Sequence, residues 1–102
     1  MEMNAKSHRL LGEVHEDLAM LMIAASKDSP IHFEITEGLR TKDRQLKLYK
    51  SGATKTFNSR HLDGHAVDVV CYVEGEVCWS WPLYEALSVH IRTTAEELGI
   101  PI

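Results

Sequence analysis

The ten residues Ser59-Arg60-His61-Leu62-Asp63-Gly64-His65-Ala66-Val67-Asp68 constrain this chain more than any other stretch, because a loop must close and a strand begin within them. Gly64 marks the closing turn, and Ala66 to Val70, rich in β-branched residues, reads as a strand. Such a loop returns His61 beside Asp68. Imidazole and carboxylate are ordinary zinc ligands, and a catalytic zinc usually takes three protein groups and leaves a fourth position for water. His61 and Asp68 would supply two of the three. On spacing alone, a short His/Asp/Gly cluster with no visible third ligand is more often a surface loop than a metal site, so the spacing leaves both readings open.

The chain of 102 residues bounds one domain, 1–102, with a modest core. Hydrophobic residues at 44% and charged residues at 25% are the composition of a soluble globular chain rather than a disordered one. A net charge of −4 disfavours a nucleic-acid partner. Lys and Arg do gather at Arg40, Lys42, Arg44, Lys47, Lys50, Lys55 and Arg60, where a solvated helix face is the favoured reading and a cleft for an anionic substrate the alternative. No apolar run has the length of a membrane span, and Met1 to Lys6 lack the order of a signal peptide, so synthesis in the cytoplasm is expected. Cys71 and Cys78 are too few for a disulfide scaffold. A two-residue turn at Glu74-Gly75 sets Val73 opposite Glu76, Tyr72 opposite Val77 and Cys71 opposite Cys78, which reads as two small apolar residues packed side by side.

From Ser7 to about Ser26, Leu11, Val14, Leu18, Leu21, Met22 and Ala25 recur at helical spacing and predict one helix, with Met20 and Met22 as core filler. Lys27-Asp28-Ser29-Pro30 stops it. Ile31 to Thr36 alternates apolar Ile31, Phe33 and Ile35 with polar His32, Glu34 and Thr36, the pattern of a half-buried strand ended by Gly38. Thr41 suits the N-cap of a helix reaching about Ser51, and Gly52 stands where a left-handed C-terminal residue is expected. Pro82 suits the first turn of a last helix whose Leu83, Leu87, Ile91, Thr94 and Leu98 share a face, with Gly99 as its cap. Ile100-Pro101-Ile102 is an apolar trio that reads as the start of a further strand or as a surface that packs on a partner.

Together, the run Ile35-Thr36-Glu37-Gly38-Leu39-Arg40-Thr41, then Arg44-Gln45, Leu48 and Gly52, and the Ser59-Arg60-His61 to Gly64-His65-Ala66-Val67-Asp68 block resemble the M15 peptidase family. The likeness is nearest to phage endolysins and bacterial enzymes of the L-alanyl-D-glutamate endopeptidase type, and it extends through Val14 to Leu18, the Glu74-Gly75 hairpin, Trp79 to Leu83 and Glu97 to Ile102. The resemblance implies an α+β domain, a small antiparallel sheet packed with helices in the hedgehog/D-Ala-D-Ala peptidase-like fold, holding Zn²⁺ at one end. It implies His61 and Asp68 as metal ligands. Arg40 matches the arginine facing the reacting carbonyl, where a fixed cation stabilises developing negative charge. Gln45 and Ser59 would lie near the substrate. Read without the resemblance, Arg40 pairs with Glu37 or Asp43, Gln45 is a helix-surface residue, and Ser59 caps the turn. His65 falls outside the family's metal positions and reads as a residue that supports a ligand or packs, rather than as a ligand.

Family members continue past the segment equivalent to Gly99-Ile102 into a further strand and a segment that carries the third zinc ligand and the catalytic acid, and this sequence shows neither. His15, His32 and His90 are weak substitutes. The expectation is therefore an incomplete zinc site and a poor peptidase, with three readings in competition. The chain is a shortened cell-wall hydrolase, or a second copy completes it by oligomerisation or domain swapping through the C-terminal end, or it is a non-catalytic module that binds peptidoglycan peptides or another protein. The implied substrate is the peptidoglycan stem peptide, cut between L-alanine and D-glutamate, with a D-alanyl-D-alanine carboxypeptidase as the alternative. An endolysin made without a signal sequence would reach the cell wall through a membrane lesion.

Overall fold

Helix formation begins at Asn4, whose side chain accepts the Ser7 N–H, and gives α1, Ala5–Leu11. The computed structural model describes residues 1–56 and 59–102. The single helix expected from Ser7 to Ser26 is in fact two. Gly12 closes α1 with its N–H on His8 and Arg9 carbonyls, and α2, Glu16–Lys27, starts afresh from His15, whose Nδ1 accepts the Asp17 N–H at 3.2 Å. Both helices turn their apolar residues to the same core, so hydrophobic spacing runs across the corner without registering it. Gly12, with a helix propensity about 1 kcal/mol poorer than alanine, is the sequence signal of the break.

Strand β1, His32–Glu37, pairs antiparallel with β2, Asp68–Val73, which pairs with β3, Glu76–Cys78, in the order β1-β2-β3. Cys71 stands opposite Cys78 as the turn demands, and Glu74 (φ 53°) with Gly75 (φ 81°) supplies the two left-handed residues of a type I′ turn. Both cysteines are free thiols, and burial pushes that of Cys71 up in pKa. The outer edge of β1 is covered from the N-terminus, since the Ile35 N–H donates to Ser7 Oγ at 2.8 Å.

The alternation expected in β1 fails at Glu34, which is 6% exposed between buried Phe33 and Ile35. Ser7 Oγ and the Asn4 N–H each donate to its Oε1 at 2.8 Å, and His32 Nε2 lies 2.7 Å from its Oε2. Burial raises the Glu34 pKa, but the bonds from His32, Asn4 and Ser7 outweigh it and leave the group below its ordinary value.

Helix α3, Lys42–Lys50, is capped by the Thr41 side chain and leads to Gly52 at φ 81°. Lys42, Arg44, Lys47 and Lys50 lie on its exposed side, the solvated face expected of the basic run. A single 3-10 turn, Arg60–Asp63, precedes β2. Helix α4, Trp81–Leu98, has Pro82 in its first turn and Gly99 (φ 71°) as its C-cap. The core holds Leu11, Met22, Ala25, Phe33, Ile35, Cys71 and Leu87. Two assignments to it are corrected. Met20 is 48% exposed because the core stripe of α2 runs through Leu21, Met22 and Ala25, and Leu98 is exposed because the buried face of α4 ends at Thr94 and Ala95.

Candidate functional site

Two glycines bring the site's two segments onto the corner between α1 and α2. A Cβ on Gly38 would lie 2.9 Å from Val14 Cγ1 and 3.2 Å from the Leu10 carbonyl oxygen, so only glycine lets the residues after β1 pass this closely. Gly64 (φ 77°) ends the 3-10 turn in the left-handed region, its missing Cβ 3.2 Å from Val14 Cα. The His15 N–H donates to the Gly64 carbonyl at 2.8 Å. The segments then bind each other, because the Arg40 N–H donates to the His61 carbonyl at 2.8 Å and His61 Nδ1 donates to the Gly38 carbonyl at 2.7 Å. Ser59 caps the turn, its Oγ accepting the His61 N–H at 3.2 Å.

The carbonyl of Gly38 can only accept, so it fixes the proton of neutral His61 on Nδ1 and leaves a lone pair on Nε2. That nitrogen lies 3.4 Å from Asp68 Oδ1. Two acceptors therefore face one another, an arrangement that calls for a cation or a proton between them. Donors about 2.0–2.1 Å from one tetrahedral ion are about 3.4 Å apart. His61 is 8% exposed while the Asp68 side chain is 51% exposed, so the pair joins a fixed ligand to an accessible one. In chemistry and spacing it fits two positions of a zinc site.

Arg40 is buried beside them. Its Nε donates to Glu37 Oε1 at 2.9 Å, its Nη1 to Gln45 Oε1 at 2.9 Å and its Nη2 to Asp68 Oδ2 at 3.3 Å. The bond from Arg40 is the largest influence on Glu37 and holds its carboxyl below the usual range. Gln45 is 1% exposed and also donates to the Thr56 carbonyl, so it is no helix-surface residue; it is buried behind Arg40. Sequence reasoning considered Glu37 only as a pairing partner of Arg40. Its i, i+3 spacing from Arg40, and the glycine between them, were the available signals.

His15, His32 and His90 have other engagements. His32 pairs with Glu34, His90 Nε2 lies 2.8 Å from the Ala25 carbonyl, and His15 stacks on His65 with ring centroids 4.8 Å apart. Among the described residues, no group of three or more His, Cys, Asp or Glu is placed to hold a metal ion. A concavity of about 710 Å³ is lined by His15, Leu18, Leu21, His65, Val67 and Ile91 among others, and not by His61 or Asp68.

The fold superposes on the crystal structure of Serratia marcescens L-Ala D-Glu endopeptidase ChiX with a TM-score of 0.90 and 40% sequence identity, over 99% of this chain and 76% of that one. The chain is also 26% identical over 100 residues to the L-alanyl-D-glutamate peptidase of Escherichia phage T5, covering 94% of this chain and 73% of that protein. The sequence profile of the phage L-alanyl-D-glutamate peptidases matches residues 1–102. Matched along its whole length, the chain belongs to the phage L-alanyl-D-glutamate peptidase family.

Proposed function

We propose that this chain is a peptidoglycan hydrolase that cuts the stem peptide between L-alanine and D-glutamate, with Zn²⁺ held by His61 and Asp68. The observation that carries the reading is the pair of acceptor atoms, His61 Nε2 and Asp68 Oδ1, facing each other at 3.4 Å with the imidazole tautomer fixed from behind. When bound there, zinc would polarise the scissile carbonyl and lower the pKa of water. The names of the relatives supply the bond.

The chain's own residues divide the remaining work. Arg40 places a permanent cation next to the ligand pair, where charge develops on the carbonyl oxygen during amide hydrolysis. A guanidinium has five N–H donors, and three of Arg40's are taken by Glu37, Gln45 and Asp68. Among the described residues no bond is made by the other two, which this reading assigns to the substrate. Gln45 holds Nη1 from within, so its contribution to substrate binding passes through Arg40. Ser59 fixes the turn that carries His61, its hydroxyl accepting the His61 N–H, and this reading also assigns that hydroxyl to the substrate.

No helix among the described residues is long and apolar enough to cross a membrane, and access to the wall through a membrane lesion is part of this reading. The test is incubation of the purified chain and zinc with a synthetic stem peptide, followed by mass spectrometry. Release of L-alanine and a new D-glutamate amino terminus supports the proposal. Release of D-alanine would assign a carboxypeptidase instead, and an intact but tightly bound peptide would assign a binding module.

A further inference from the structure

We infer that Glu37 is a positioning residue for hydrolysis, which aims the Arg40 guanidinium by holding its Nε. The inference rests on the function proposed above and concerns a residue to which no role has been assigned.

It starts from a β-bulge. Ile35 pairs with Val69, but the next pairing joins Glu37 to Asp68, so Thr36 is the extra residue on β1. The bulge advances Glu37 by one place and sets its carboxylate next to that of Asp68 in the ladder. Two carboxylates side by side repel unless a cation lies between them. Arg40 fills that place, with Nε on Glu37 Oε1 and Nη2 on Asp68 Oδ2.

The division of donors is the important feature. Arginine binds a carboxylate best through two parallel N–H bonds. If Glu37 did not occupy Nε, Asp68 would be free to take a two-pronged grip on Arg40, and its Oδ1 would turn from His61. By engaging Nε, Glu37 restricts Asp68 to one bond and leaves Oδ1 facing His61 Nε2. The side chain of Arg40 is long and loses much rotamer freedom when fixed, so an anchor held in the β1 ladder and 26% exposed orders it better than a more solvent-exposed partner would. Arg44 Nε also approaches Glu37 Oε1, but at 3.5 Å and from an exposed side chain, so it supports the carboxylate rather than competing for it.

The experiment compares Glu37→Ala, Glu37→Asp and Glu37→Gln in the zinc-loaded chain, alone and combined with Arg40→Ala. Glu37→Gln keeps the accepting oxygen and should retain at least half of the parent's kcat. Glu37→Ala should lower kcat tenfold or more with KM within about twofold, and should add nothing once Arg40 is alanine. Glu37→Asp, which keeps the charge but withdraws the oxygen, should fall with Glu37→Ala, and it serves if the alanine variant does not fold. Equal losses with and without Arg40, or full activity in Glu37→Ala, would overturn the inference. A second readout needs no turnover. The Arg40 Nε–H resonance should be protected from exchange in the parent, lose protection in Glu37→Ala and Glu37→Asp, and keep it in Glu37→Gln. An unchanged resonance in Glu37→Ala overturns the inference even if the parent cleaves nothing, and an inactive parent counts against the proposed hydrolysis alone.

Discussion

His61 with Asp68, and His65 with Asp63, are two imidazole–carboxylate pairs taken from one ten-residue stretch, and their surroundings are opposite. His65 Nδ1 meets Asp63 Oδ1 at 2.9 Å, with 49% and 66% of the two side chains exposed. A proton on Nδ1 satisfies that pair completely. His61 spends its Nδ1 proton on the Gly38 carbonyl, and the nitrogen turned to Asp68 carries a lone pair. The residue types are the same, and the destination of one ring proton decides which pair is left with two facing acceptors. In metal sites generally, the group behind a histidine fixes its tautomer and orientation, and the proposed zinc site relies on that support at His61.

Variants that exchange the fates of the two pairs give the largest effects. His61→Ala should abolish cleavage of the stem peptide above background, whereas His65→Ala should stay within a few-fold of the parent; a peptide-release assay compares them directly. Arg40→Ala should lower kcat by about 10²–10³, the scale of losing a fixed oxyanion partner, with the folded chain verified by circular dichroism. It should also destabilise, because the buried Gln45 oxygen and the Glu37 carboxylate lose their donor, a loss of about 1–3 kcal/mol for an unpaired buried acceptor.

The supports of the two pairs can be separated in the same way. Gly64→Ala should destabilise by about 1–2 kcal/mol from the left-handed backbone alone, and further because its Cβ would press on Val14. Gly75→Ala has a similar φ but meets nothing within 4 Å, so urea unfolding should show the smaller loss there. Only Gly64→Ala should also weaken zinc binding, since it alone moves the turn that carries His61.

The smallest effect concerns acid. A carboxyl group whose pKa falls on folding adds stability above its unfolded value and loses it as pH drops through the folded one. Glu37 is held below its ordinary 4.5 by Arg40, so unfolding free energy should decline below that pH, and Glu37→Gln should flatten part of the decline. Asp63 is likewise lowered by its bond to His65, but that pair is exposed and screened, so Asp63→Asn should leave the profile close to the parent's. Urea titrations at pH 7, 4 and 3 measure both.

Much of this was legible in the residues. The Glu74-Gly75 turn specified the pairing of Cys71 with Cys78, Thr41 and Gly52 bracketed α3, and Gly99 ended α4, because caps and tight turns are local chemistry. The α1–α2 corner was missed because both helices bury residues at one continuous spacing. Buried Glu34 was missed because its partners Asn4 and Ser7 lie about thirty residues away in sequence. The site was legible in part. The ten-residue stretch and the family likeness pointed to His61, Asp68 and Arg40, while the support of His61 by Gly38 arises only when separate segments fold onto Val14; the support of Arg40 by Glu37 and Gln45 is local in sequence, but their apolar-poor helix-and-loop pattern did not reveal that Gln45 is buried.

The most direct measurement is the zinc content, after dialysis, of the parent chain, His61→Ala and His65→Ala at equal concentration. The account predicts zinc retained by the parent and by His65→Ala, and lost from His61→Ala, with affinity down more than about a hundredfold, beyond what disturbing an outer partner costs. Equal zinc in the parent and His61→Ala, or a loss confined to His65→Ala, would contradict it.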